Sequence, residues 1–208
     1  MSAGGFVTSG RVIRWMVRLV LVIGLAGYVA PSPAWEASAA EGQATGELAV
    51  GERLPALPGE YLSGRKAMLP DDATGRVALL LVGFSYASRV PVKAWTQRFR
   101  AEFADKTQVT FYQVPMLGGA ARMGKWFIEG GMRRGTPKAD QESVIPVYSG
   151  TDAWRQRLGV KADAKAEDTA YLVLLDRKGN VVWRHAGPLE EAAYQTLAAQ
   201  VRKLVAGK

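Results

Sequence analysis

The sequence predicts an α/β domain in which a mixed sheet is sandwiched between helices. Val77-Ala78-Leu79-Leu80-Leu81-Val82-Gly83-Phe84 is an unbroken apolar run of strand length, the pattern of a central strand buried on both faces. Helix-period stripes then alternate with further strand-like runs. The chain closes on a hairpin signal followed by an amphipathic helix. These changes of period set the class and leave the strand order open.

The elements follow in turn. Residues 35–60, rich in Ala, Gly, Glu and Pro, read as a linker and an extended lead-in. Asp71-Asp72 reads as a turn. After the central strand, Val92, Trp95, Phe99 and Phe103 recur at helical spacing, with Ser88 placed to cap that helix and Pro91 in its first turn. Val109 to Met116 returns to strand character. Ala121 to Met132 reads as a helix ended by Gly130, Gly131 and Gly135. Val144 to Tyr148 is a short strand. A helix over 153–158 is capped by Thr151 or Asp152 and stopped by Gly159. Tyr171 to Leu175 and Val181 to Arg184 are strands joined by Asp176-Arg177-Lys178-Gly179-Asn180, where Gly179 meets the need for positive φ. Leu189, Ala193, Leu197, Val201 and Leu204 share one face of a last helix that starts at Glu190-Glu191.

The N-terminus carries a targeting pattern. Arg11, Arg14 and Arg18 precede the apolar run Leu19–Ala30, and small residues follow at Ala30-Pro31-Ser32-Pro33-Ala34 and Ala37-Ser38-Ala39-Ala40. That is the grammar of a secretory signal. The run is shorter than the roughly 20 residues of a comfortable span, but Val12 to Met16 would extend it into an uncleaved anchor. The division expected is a signal peptide or membrane anchor over 1–40, a linker and lead-in over 41–60, and the folded domain over 61–208. The protein is therefore expected to be exported, either periplasmic or anchored to the inner membrane facing the periplasm. Acylation of a cysteine is excluded, because the 208 residues include none.

The absent cysteine bounds the chemistry. Thiolates are the nucleophiles of dithiol and peroxidatic reactions, so both are excluded. The formal charge is +8, of which the first forty residues give +2 (three arginines against Glu36) and the remainder +6. This balance suits an acidic protein partner or an anionic membrane surface. It shows no nucleic-acid module, since the basic residues are scattered and no RNA-binding aromatic motif occurs. Gly118-Gly119 and Gly130-Gly131 lack the lysine and spacing of a phosphate-binding loop. The single histidine, His185, ends a strand and reads as structural, with no partners for zinc or for a Ser/His/Asp site. No cofactor, metal or catalytic residue is assigned.

Taken together, Phe84, the short loop into a capped helix, and the run from Trp154 through Tyr171–Asp176 to Gly179 and Gly187 resemble the thioredoxin-like superfamily over residues 46–205. Where that fold carries Cys-x-x-Cys, this chain reads Ser88-Arg89-Val90-Pro91-Val92. Where redoxins often hold a cis-proline, it reads Asp168-Thr169-Ala170, so that loop is expected to be trans. A narrower resemblance rests on Phe84, Trp95 and Phe99, on Trp126-Phe127-Ile128 with Met132-Arg133-Arg134, on Arg155–Gly159, and on Val182-Trp183-Arg184-His185-Ala186-Gly187. In these the chain resembles the cysteine-poor thioredoxin-like family that includes the assembly chaperone for the membrane sector of F-type ATP synthase. That resemblance implies help in assembling a membrane protein.

The candidate partner-binding residues are Ser88, Arg89, Pro91, Trp126, Arg133 and Arg134. Arg89 stands where an attacking cysteine would stand. Its simplest reading is a solvated loop arginine, and its functional reading is contact with an anion or acidic peptide at free helix N–H groups. Arg133 and Arg134, beside Trp126, are placed to grip an acidic segment or phospholipid headgroups. Trp126 and Trp154 read as surface anchors. The leading expectation is a redox-inactive binding or assembly factor for a membrane protein. The alternatives are a non-thiol enzyme binding a small anionic substrate near Ser88 and Arg89, or a structural subunit of an envelope complex.

Overall fold

A computed structural model describes residues 46–207 of the chain. The proposed signal or anchor over 1–40 lies outside the described residues. A short antiparallel hairpin comes first, β1 (Leu57–Glu60) and β2 (Lys66–Leu69), in register from Leu57 opposite Leu69 to Glu60 opposite Lys66. Then follow β3 (Val77–Gly83), α1 (Arg89–Phe103), β4 (Val109–Pro115), α2 (Lys125–Gly135), α3 (Thr151–Leu158), the one-turn α4 (Ala164–Glu167), β5 (Tyr171–Leu175), β6 (Val181–Ala186) and α5 (Glu191–Ala206).

The main sheet has the order β4-β3-β5-β6. β3 runs parallel to β4, and β5 is antiparallel to both β3 and β6. β3 sits between two strands and under two layers, which is why every one of its residues is buried. The strand period sorts its side chains. Val77, Leu79 and Leu81 meet Trp95, Phe99, Tyr194, Leu197 and Val201 beneath α1 and α5. Ala78, Leu80 and Val82 meet Leu48, Leu54, Leu57, Trp154 and Leu158 on the opposite face. Phe84, just past the strand, joins that second core.

Several elements depart from the sequence reading. The lead-in is packed rather than linking. Leu48, Leu54 and Leu57 are core residues, and the Leu48 amide donates to the Arg157 carbonyl at 2.7 Å. Residues 144–148 do not form a full strand. Val144 and Val147 make isolated parallel bridges to Gln113 and Met116, continuing the sheet past β4 only in part. The helix read over 121–132 is a 3-10 turn over 120–124 followed by α2, which runs through Gly130 and Gly131 to Gly135. Gly150, at φ 69°, stands at the N-cap of α3, and neither Thr151 nor Asp152 caps it by side chain. At the other end Gly159 takes φ 68°, and the Val160 amide reaches back to the Arg155 carbonyl, closing α3. Gly179 holds φ 84° in the β5–β6 turn, where the Asp176 carboxylate accepts from the amides of Lys178 and Asn180. Trp154 is buried rather than a surface anchor.

Candidate functional site

The loop from β3 into α1 is where the fold would carry its thiols. Phe84 turns inward, edge-on to Tyr171 at 5.7 Å, which fixes the start of the loop. Ser88 is 2% exposed. Its hydroxyl donates to the Ser85 carbonyl at 2.7 Å, and the Ser85 hydroxyl accepts from the Ser88 amide at 3.1 Å. Ser88 thus stands at the N-cap position but makes no side-chain cap. A Cβ on Gly83 would meet the Ser88 hydroxyl oxygen at 2.3 Å, so only glycine lets the serine close this tightly.

The Ser85 hydroxyl also donates to the Asp168 carboxylate at 2.6 Å. Asp168 precedes β5 across the corner, in the place where redoxins set their proline. One hydroxyl therefore joins the two loops that would face each other across a redox site. The peptide bonds of the 168–170 loop are trans; the cis bond among the described residues is Leu69–Pro70.

With the small polar groups turned inward, other side chains face out. Tyr86 is 79% exposed, and the Arg89 guanidinium lies over its ring at 4.1 Å. Val90 is exposed beside them and Pro91 is half-buried. The ring contact offsets part of the unfavourable placing of a cation at a helix start. Of the residues read from sequence, Arg89 and Pro91 border this corner, whereas buried Ser88 supports it from inside. Ser85, Tyr86 and Val90 went unread. The Tyr86–Arg89 spacing of three was the available signal for the pair.

A second group gathers on α2. Its inner side is ionic. Glu129, 5% exposed, takes the Arg133 guanidinium at 2.9 Å and lies 3.7 Å from the Lys125 ammonium. Arg133 also donates to the Leu62 carbonyl at 2.7 Å, and Lys125 pairs with Glu60 at 3.1 Å. The hydrogen bond from Lys125 holds the Glu60 carboxyl below its ordinary range against the opposing effect of burial. Burial, reinforced by the Glu129 carboxylate, pushes the Tyr148 phenol up and keeps it neutral. The outer side of α2 carries Trp126 and Phe127, edge to face at 5.9 Å, beyond exposed Met123. Arg134 is exposed; Arg133 is half-buried and engaged. The two arginines read as a pair thus divide, Arg133 fastening α2 to the hairpin and Arg134 facing solvent.

His185 lies between Trp95 at 5.4 Å and Trp183 at 5.6 Å, stacked on the latter. Burial lowers its pKa, and the charge of Glu190 only partly opposes this. Nearby, a cleft of about 550 Å³ is bordered by Lys161, Lys165, Arg184 and His185 together with Glu47 and Asp163. Its charges are mixed. Arg184 is engaged by the Leu48 carbonyl and by Glu47. Among the described residues no group of three His, Asp or Glu side chains is placed to hold a metal ion.

No protein-family model matches the chain, and no curated protein matches it in sequence. Solved structures match it in fold. BsSco, a member of the Sco family of cytochrome c oxidase assembly proteins, aligns at a TM-score of 0.55 and 12% identity, over 78% of this chain and 98% of that one. A protein of Chlorobium tepidum assigned as the thiol:disulfide interchange protein DsbE aligns at 0.52 and 19% identity, over 76% and 99%. The thioredoxin domain of a thiol-disulfide oxidoreductase of Bacteroides vulgatus aligns at 0.51 and 19%, over 74% and 99%. At these identities the likeness is one of architecture. The β4-β3-β5-β6 sheet between its helical layers, matched along nearly the whole length of these structures, gives this cysteine-free chain a thioredoxin-like fold.

Proposed function

We propose that the protein is a redox-inactive binding or assembly factor that acts outside the cytoplasm and holds a protein partner belonging to a membrane complex. One observation carries the reading. At the corner that would bear the thiols, the hydroxyls of Ser85 and Ser88 are spent on bonds within the loop and to Asp168, while Tyr86, Arg89 and Val90 face solvent. Such a corner offers contact area and a positive charge rather than a nucleophile. A Tyr–Arg pair is the composition enriched where proteins bind one another.

The extracytoplasmic setting rests on the basic, apolar and small-residue order of the first forty residues. The membrane-complex partner rests on the resemblance to the ATP synthase assembly chaperone family. BsSco supports that choice only in being an assembly protein of similar architecture. The enzyme alternative needs a base beside Ser88 or Arg89. Asp168, the carboxylate at this corner, is hydrogen-bonded to Ser85, and the histidine is held between tryptophans.

The test is affinity capture from detergent-solubilised membranes, comparing the native chain with a Tyr86→Ala/Arg89→Ala variant. Enrichment of one defined membrane protein, lost in the variant, is the expected outcome. Identical recovery by both chains, or turnover of a small anionic substrate that depends on Ser85 and Asp168, would refute it.

A further inference from the structure

α2 is inverted relative to an ordinary surface helix. A helix packed on a domain turns its apolar stripe inward and its charges outward. Here the buried residue is Glu129, held by Lys125 and Arg133, while Ile128 and Met132 are half-buried and the two aromatic side chains, Trp126 and Phe127, face solvent. Met123 is 92% exposed, Trp126 77% and Phe127 66%. Three neighbouring side chains of this size facing water mark a docking surface.

The flanking sequence is basic. Residues 118–138 contain five basic side chains and one acid. The acid is Glu129, buried and paired with Arg133, while Arg122, Arg134 and Lys138 of the same stretch are exposed. Trp and Phe flanked by arginines are the make-up of a helix that lies in the headgroup layer of an anionic bilayer, aromatic rings at the acyl boundary and cations on the phosphates. None of these residues borders the cleft beside His185. A planar lipid surface accepts exposed side chains on a helix without a complementary pocket. The chain before Gly46 includes the apolar run Leu19–Ala30, which would keep the domain near a bilayer and raise the effective concentration of lipid at this face.

We infer that the outer face of α2 together with the 3-10 turn before it, Met123, Trp126 and Phe127 flanked by Arg122 and Arg134, docks on an anionic lipid bilayer. The contact takes its setting from the extracytoplasmic reading. It would lay the domain against the membrane and leave the Tyr86–Arg89 corner for the protein partner.

The cysteine-free sequence allows a site-specific test on the full chain. A Met123→Cys variant carries one environment-sensitive fluorophore, and an Ala199→Cys variant on exposed α5 carries the same label as control. Each is mixed with vesicles of phosphatidylcholine alone or with about a third phosphatidylglycerol. The label at 123 should shift to the blue and brighten about threefold or more with anionic vesicles only, and revert in about 0.5 M salt. Adding Arg122→Glu and Arg134→Glu should abolish the response, with circular dichroism showing an intact fold. The inference is overturned if the label at 123 responds no more than that at 199, if both vesicle types act equally, or if the charge reversals change nothing. The vesicles hold no protein. A failure here therefore leaves capture through Tyr86 and Arg89 untouched, and loss of that capture leaves the lipid response standing.

Discussion

Replacing Glu129 by alanine separates the two faces of α2 energetically. Its carboxylate is buried and holds Arg133 at 2.9 Å and Lys125 at 3.7 Å. Breaking a fully buried ion pair costs about 3–5 kcal/mol, because the remaining charge is stranded. Here both cations keep water contact, at 39% and 38% side-chain exposure, and each keeps a second acceptor, Leu62 or Glu60. Screening and these spare partners reduce the loss to about 2 kcal/mol, mostly one charge-assisted hydrogen bond and a weaker Coulomb contact. For a domain of this size that lowers Tm by about 4–8 °C. Thermal unfolding followed by circular dichroism reads it directly. Glu129→Gln, which keeps the shape, should fall between the native chain and Glu129→Ala. The companion Trp126→Ala/Phe127→Ala variant should stay within about 0.5 kcal/mol of the native chain, since it removes side chains already in water. If the aromatic pair cost more than Glu129, the helix would be seated with its apolar side inward, and both the ionic seat and the lipid contact would be wrong.

Three further predictions address other links. Burial lowers the pKa of His185, so the fold favours its neutral form; stability is full above the unfolded value of about 6.5 and declines as pH falls through the folded value. Urea midpoints at successive pH values should show that decline in the native chain and a flatter slope in His185→Phe, and equal slopes would refute it. Ser85→Ala removes the acceptor of the Ser88 amide and the bond to Asp168. It should cost about 1–2 kcal/mol and speed exchange of the Ser88 amide proton, whereas unchanged exchange would show that the loop is held by other contacts. Gly179→Ala would place a Cβ 2.7 Å from Pro70 at a φ of 84°. A loss of about 1–2 kcal/mol is expected in chemical denaturation, and a neutral result would mean that the β5–β6 turn relaxes freely.

How far the sequence carried the fold depends on how each element is specified. β3, β5 and α5 were readable because burial writes itself directly as composition and period: every residue of β3 and β5 is apolar and buried, and α5 repeats its apolar face at helical spacing. The β1–β2 hairpin was not. Its four-residue strands, LPGE and KAML, carry proline, glycine and charge, and only Leu57, Ala67 and Leu69 of them reach the core. α2 was readable in part. Trp126 was read as a surface side chain and is exposed, but Gly130 and Gly131 do not end the helix, and Arg133 is held by the Leu62 carbonyl, 71 residues away, which no local pattern announces. Of the candidate site, the absence of thiols and of the proline before β5 was legible residue by residue. Ser88 was misplaced because a serine before a helix reads as a cap, and only the close approach at Gly83 shows it folded back on Ser85.

The most direct measurement is photo-crosslinking in intact cells from a benzophenone side chain at position 86, with the same group at position 199 as reference. One discrete adduct is expected from 86, identified as a single membrane protein and lost when Arg89 becomes Glu. An identical diffuse background from both positions would contradict it, because the corner vacated by the thiols would then hold nothing.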